Sequence, residues 1–409
     1  MFNKLCIFAY VHLCTFVCIF VHFLSSIAVN VASHQIDLAQ ILNLAAFEPL
    51  ARDCIHPMFY DYYAGGADDE ITVSENTKAF RRLRLRPRVM QGVGVSASRT
   101  AASELFGARF AMPIGIAPMA LQGLAHPDGE LAMARAAADA NALMIISTTA
   151  TYSVEEIANA SCERGGTTWF QLYVFNDREA SRDLVRRVEE VGCKALVLTA
   201  DTPYLGRRER DIRNQFHIPP HLETKNYQAI GASAVPEVHH NSGLAQHFGN
   251  NVASNLTWDD VEWFCGITSL PVVVKGVLRG DDALKAAQNG ARGVIVSNHG
   301  GRQLDTALAT IDALPEIVDS VRSAGFTSEQ FPIFLDGGIR RGTDALKAVA
   351  LGAEAVFIGR PMLWALATAG EDGVRRALQL IHQEFADVLG LVGCSHHTET
   401  APDLIAKVI

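Results

Sequence analysis

The 409-residue chain lacks the patterns that announce metal or disulfide chemistry. Eight cysteines are present, yet they form no CxxC pair and none stands at a metal-ligand spacing. Cys6, Cys14 and Cys18 fall in the first apolar segment and the remaining five are scattered, so a disulfide framework is not expected. The pairs His239-His240 and His396-His397 lack helical i,i+4 spacing and cysteine neighbours, which argues against a metal site there. Positive charge is also in deficit. A formal net charge of −9 is the wrong sign for a general nucleic-acid-binding surface. The one basic cluster, RRLRLRPR from Arg81 to Arg88, alternates with leucine and suits a half-exposed extended segment. No low-complexity tract occurs. With 49% hydrophobic and 19% charged residues, the chain can bury a large core.

Charge is missing altogether from Leu5 to Val31, with Lys4 just before it. This reads as a secretory signal peptide or a membrane anchor spanning residues 1–33. Its length favours an uncleaved anchor, Ser26-Ile-Ala28 offers a small-x-small cleavage site, and a true start near Ser33 is a third reading. The positive end precedes the segment, so the body would face the lumen or exterior. In each case the fold of the body is independent of it.

What the chain does have is a recurring apolar run followed by helical periodicity. The runs are Pro113–Pro118, Met144–Ser147, Trp169–Tyr173, Ala195–Thr199, Pro271–Lys275, Gly293–Ser297, Pro332–Asp336 and Ala355–Gly359. Continuous rather than alternating apolar strands are buried on both faces, as in a parallel sheet covered by helices. Eight such units predict an α/β protein with a closed (β/α)8 TIM barrel over 111–409, an open doubly wound sheet being the weaker alternative. Strand starts lie 22 to 39 residues apart, except that Pro271 follows Ala195 by 76. The excess predicts an insertion at 203–268 after the fourth strand, read as a long, partly mobile loop. Residues 34–110 read as a helical segment preceding the barrel.

Polar groups cluster where the apolar runs stop. In SNHGGRQLD, Ser297 to Asp305, a histidine and an arginine flank two glycines directly after a buried strand, placing a base beside an anion clamp. Other strand ends bring Ala117-Pro-Met119, Ser147, Gln171, Tyr173, Thr199, Asp201, Lys275, Asp336-Gly-Gly-Ile-Arg340 and Gly359-Arg360. A barrel gathers these at one mouth. Glycine-rich strand ends with arginines suit a phosphate, so the mouth predicts a phosphorylated cofactor and a small anionic substrate.

The motifs DYYAGGADDE, RPRVM, IAPMALQGLAHPDGE, WFQLYV, LTADTPYLGRRERDIRN, VVVKGV, SNHGGRQLD, FLDGGIRRGTDALKA and FIGRP resemble those of the FMN-dependent (S)-2-hydroxy acid oxidases, the glycolate oxidases most closely, from about Ile36 onward. That resemblance implies oxidation of a small 2-hydroxy acid to the 2-oxo acid, with oxygen reduced to hydrogen peroxide, in a homotetramer. His299 would be the base, Asp201 its partner, Arg302 and Arg208 the carboxylate clamp, and Tyr62 and Tyr173 hydrogen-bond donors to the substrate. Lys275 would stand beside flavin N1. Ala117, Pro118, Met119, Ser147, Gln171, Thr199 and Ser297 would line the flavin ring and ribityl chain. Asp336, Gly337, Gly338, Ile339 and Arg340, with Gly359 and Arg360, would hold ribityl and phosphate. Two departures stand out. Thr149 occupies the stretch in which glycolate oxidases commonly carry tryptophan, which would make room for lactate or longer acids. The chain ends Lys407-Val-Ile409, unlike a peroxisomal tripeptide. The alternative is a membrane-anchored dehydrogenase passing electrons to a quinone or cytochrome, attached only through residues 5–31. A cytochrome-fused dehydrogenase is disfavoured, because residues 34–110 are too short for a haem domain and lack its His-Pro-Gly-Gly motif. A catalytically silent relative would be expected to have lost His299, Asp201 or Arg302, and all three are present.

Overall fold

Three short strands precede the barrel: β1 (Leu83–Leu85), β2 (Ser103–Leu105) and β3 (Ala108–Phe110). The barrel itself comprises β4 (Ile114–Ile116), β5 (Met144–Ser147), β6 (Thr168–Leu172), β7 (Leu196–Thr199), β8 (Val272–Val277), β9 (Gly293–Val296), β10 (Ile333–Asp336) and β11 (Ala355–Ile358). All pair in parallel in sequence order, and β11 closes on β4. The last strand, β12 (Ile405–Lys407), pairs antiparallel with β1. The expected TIM barrel is therefore present, each of the eight apolar runs supplying one strand. This computed structural model describes residues 36–93, 102–232, 234, 235, 237 and 241–408. Residues 39–409 form one compact unit, and the twelve strands found among the described residues all belong to it. The apolar stretch 5–31 and the pair His239-His240 lie outside the described residues. Among the described residues, no helix is long and apolar enough to cross a membrane.

Every residue of β5, β6, β7, β9, β10 and β11 is buried, because one face packs in the barrel interior and the other under helices. The interior is filled by large side chains, with Trp169 5.4 Å from Phe334 and 5.9 Å from Phe357 between ring centroids. The covering helices form for local reasons. Arg178–Glu190 begins where the Asp177 side chain accepts from the amides of Glu179 and Ala180, and its buried face is Ala180, Leu184, Val185 and Val188. Val154–Cys162 starts with a capping box between Ser153 and Glu156.

Two expectations need correction. Residues 34–110 are helical only in part: Phe47–Cys54, Pro57–Ala64 and Ile71–Lys78 are helices, but the arginine-rich stretch forms β1, and β2 and β3 form a hairpin. Its turn, Phe106-Gly107, has both residues at positive φ (48° and 76°), the geometry that matches strand twist. Leu105 and Phe110 join the core cluster around Trp169 and Phe357, and Phe106 packs against it, so the hairpin stoppers the end of the barrel away from the mouth. The extended, half-exposed reading of the arginine–leucine stretch holds at β1, whereas β2 and β3 are too short for their alternation to be legible. The insertion is likewise no bare loop. It contains the helices Glu209–Arg213 and Gly243–Asn251 and a 3-10 stretch Lys225–Ile230, while Trp258–Ile267 is the ordinary barrel helix leading into β8.

Candidate active site

The C-terminal ends of the barrel strands surround one cavity. Tyr62, Ala117, Pro118, Met119, Ser147, Gln171, Tyr173, Thr199, Arg208, Lys275, His299, Arg302, the run Asp336 to Arg340, Gly359 and Arg360 all line it. Two expected residues stand just behind the wall. Asp201 is bonded to His299, and Ser297 accepts from Lys275 Nζ at 3.0 Å. Tyr63, Asn76, Leu205, Leu244 and Phe248 also line the cavity but stand at no strand end, so the strand pattern does not reveal them. Leu244 and Phe248, four apart on the helix Gly243–Asn251, are the exception: that helical spacing is visible in the insertion.

His299 follows β9 in a left-handed conformation (φ 56°). Its Nδ1 lies 2.9 Å from Asp201 Oδ1, and its Nε2 lies 3.3 Å from the Tyr173 hydroxyl at the cavity wall. Thr202 donates to the same Asp201 oxygen at 2.9 Å. Burial lowers the imidazole's affinity for a proton and outweighs Asp201, which raises it, so His299 titrates below its ordinary value. It is then a neutral base at neutral pH. Burial pushes Asp201 the other way, yet His299, Lys275 and Thr202 together hold its carboxyl down to about 2. Gly276, at the bulge in β8, allows the approach: a Cβ there would sit 2.5 Å from Asp201 Cβ. Burial, then Asp201, push the Tyr173 phenol well up, keeping it a donor.

Four buried or half-buried arginines crowd the same cavity. Arg302 Nη1 donates to the carbonyls of Tyr62 (2.5 Å) and Gly65 (3.1 Å), and its guanidinium lies over the Tyr62 ring. Arg208 is 7% exposed and donates only weakly, from Nε to the Arg302 carbonyl at 3.4 Å. Burial and then Arg302 lower its pKa to about 10. For Arg360, burial followed by Arg302, Arg340 and Arg208 lowers it to about 9. Arg360 donates to the carbonyls of Tyr63, Gly300 and Gly65, so it braces the end of the helix Pro57–Ala64 against the His299 turn as well as lining the cavity. Four guanidinium groups lining one cavity make it suited to anions.

The remaining wall suits a phosphorylated polyol. Gly337 and Gly338 adopt φ of 91° and 87°, and a Cβ on Gly338 would lie 1.9 Å from the Asn76 carbonyl, so no side chain fits this cradle. Asp336 Oδ1 is buried without a partner, an acceptor set to take a hydroxyl. Its other oxygen lies 3.5 Å from Lys275 Nζ. On the substrate side, Thr149 Oγ1 stands 3.3 Å from the hydroxyl of Tyr227, a fully buried residue of the insertion. Tyr152 turns away, donating to the Pro127 carbonyl. Leu205, Leu244 and Phe248 complete an apolar wall.

Residues 51–407 match the family described as FMN-dependent dehydrogenase. The chain is 47% identical to glycolate oxidase 5 of Oryza sativa subsp. japonica over 358 residues, covering 88% of this chain and 94% of that one. It is 48% identical to the L-lactate oxidase of a Nostoc species over 355 residues, covering 87% and 95%. Among solved structures, mandelate oxidase with (S)-4-hydroxymandelic acid aligns at a TM-score of 0.83 and 43% identity, covering 90% of this chain and 98% of that one.

Proposed function

The chain belongs to the FMN-dependent dehydrogenase family, and from that premise we propose how its barrel mouth oxidises 2-hydroxy acids to 2-oxo acids, with oxygen becoming hydrogen peroxide. The observation that carries the reading is His299, backed by the Asp201 carboxylate, lining one cavity together with Arg208 and Arg302. FMN held there would supply the two-electron redox chemistry that links the substrate to oxygen. Asp336 and the Gly337–Gly338 cradle, with Arg340 and Arg360, would hold its ribityl phosphate, and Ala117–Met119, Ser147, Gln171, Thr199 and Lys275 its ring.

The protein's own part is positioning and proton handling. Arg208 and the free face of Arg302 bind the substrate carboxylate in two-pronged fashion, while Tyr62 and Tyr173 donate to its oxygens. The His299 Nε2 lone pair takes a substrate proton, and Asp201 stabilises the imidazolium through Nδ1. Burial of the whole constellation strengthens each of these contacts.

The substrate is proposed to carry a short apolar side chain. Thr149 leaves space that an indole would fill, and the surrounding wall is Leu205, Leu244 and Phe248. Tyr227 limits the depth of that space. Anaerobic mixing of the FMN-loaded protein with glycolate, lactate, 2-hydroxybutyrate and 2-hydroxyoctanoate, followed by air, tests the reading. The flavin is expected to bleach and then recover as peroxide forms. Flavin that stays reduced in air but is reoxidised by a quinone would replace the oxidase by a dehydrogenase.

A further inference from the structure

Two buried asparagines join the N-terminal helix Ile71–Lys78 to the turn that carries His299. Asn76 Nδ2 donates to Asn298 Oδ1 at 2.9 Å, and Asn298 Nδ2 donates back to Asn76 Oδ1 at 2.7 Å. Each residue is 4% exposed. The Asn298 amide makes two more bonds: Nδ2 donates to the Leu308 carbonyl at 3.0 Å, and Oδ1 accepts from the Gly301 amide at 3.1 Å. It therefore ties together both ends of the turn. Within that turn His299, Gly300 and Gly301 are all left-handed, at φ 56°, 65° and 76°. A histidine holds this conformation only where its surroundings over-determine it. On its other side Asn76 meets the glycine cradle, since its carbonyl excludes any Cβ from Gly338.

We propose that Asn76 is a positioning residue: by fixing Asn298, it holds the His299 turn so that the imidazole meets Asp201. The base turn is then set from outside the barrel, by the segment that also contacts the cradle at Gly338. The inference rests on His299 as the base. Its warrant is geometric: without Asn76, the buried Asn298 amide keeps only its bonds to Leu308 and Gly301 and loses the two that tie the turn to the N-terminal helix.

The test is a double-mutant cycle in the FMN-loaded enzyme with Asn76→Ala, Asn298→Ala and the pair, together with His299→Ala as reference. kcat, KM, the pH profile of kcat, FMN affinity by flavin fluorescence and Tm are measured for each. Asn76→Ala is expected to lower kcat on the order of tenfold to a hundredfold with little change in KM, as misplacing a reacting group does. The acidic limb of the profile should move to lower pH, because Asp201 is the group that raises the proton affinity of His299. The double variant should be no slower than the slower single. Strictly additive losses, or an unmoved pH profile with activity falling only as flavin content and Tm fall, would overturn the proposal. If Asn76→Ala does not fold, Asn76→Asp, which accepts from Asn298 but cannot donate to it, serves the same comparison. A His299→Ala variant that retains wild-type kcat would refute the base assignment instead, whereas an inactive one beside a normal Asn76→Ala refutes only this inference.

Discussion

At the scale of single residues, His299 is the most exposed to experiment. Removing its imidazole by His299→Ala should leave FMN bound while lowering kcat by about 10²–10⁴, the usual worth of a positioned base; flavin absorbance and steady-state turnover check both halves. The sign of its pH dependence follows from its burial. A histidine whose pKa is lowered in the folded protein is neutral above that lowered value, so kcat/KM should rise with pH and level off below the ordinary histidine range. The same depression contributes stability that is present above the unfolded pKa and lost as pH falls through the folded one. Asp201, held near 2, acts in the same direction, losing its contribution as pH drops from its ordinary 3.8 toward that value. In Asp201→Asn the imidazolium loses its counter-charge, and kcat should fall with KM little changed. An Asp201→Asn enzyme with the wild-type kcat would remove the aspartate from the mechanism. Arg302→Lys should raise KM and slow turnover roughly tenfold or more, since an ammonium cannot reproduce the planar fork and a charge-assisted bond is worth about 1.5–3 kcal/mol.

Elements set the pocket's size and the barrel's stability separately. The insertion brings Leu244 and Phe248 to the mouth on one helix face and backs Thr149 with Tyr227. Each apolar carbon of substrate buried there should gain about 0.8 kcal/mol, or about fourfold in kcat/KM, until Tyr227 stops the chain. Measured over glycolate and the three longer acids, wild type should favour lactate or 2-hydroxybutyrate over glycolate, and Thr149→Trp should reverse the order. An unchanged ranking in the tryptophan variant would show that this wall does not select the substrate. At the other end of the barrel, Phe110 of β3 is buried in the cluster around Trp169. Phe110→Ala should cost about 3–5 kcal/mol of stability with kcat unaltered, because the hairpin packs away from the mouth; denaturant unfolding and turnover separate the two effects.

For the whole molecule, the cofactor and the fold are linked by mass action. A ligand bound only to the native state adds about 2.7 kcal/mol at a hundredfold excess over its Kd, so Tm should climb with FMN concentration. Substituting Arg340 or Arg360 by glutamine removes a charge that would face the phosphate and should flatten the rise of Tm with FMN, whatever the Tm of the flavin-free variant. A steep rise retained in both variants would mean that the phosphate is held elsewhere. The barrel also shows why the site is composite. Tyr62, Tyr63 and Asn76 come from helices before the barrel, and Arg302 and Arg360 are anchored on carbonyls of that same segment.

The eight strands and their order were legible because each is an unbroken apolar run buried on both faces, a pattern that needs no partner to be read. The residues at their ends, from Ala117 through His299 to Arg360, were legible for the same reason: where the run stops, the mouth begins. Resemblance added roles for Tyr62, Arg208 and Lys275 that spacing does not carry. Only the tertiary structure decided what lies between distant segments. The hairpin under the barrel, Tyr227 behind Thr149, the arginines braced on the Tyr62–Gly65 carbonyls and the Asn76–Asn298 pair each join residues from different segments of the chain. Local periodicity records which face of an element is buried, but not which distant side chain buries it, and these contacts exist only once the barrel has closed.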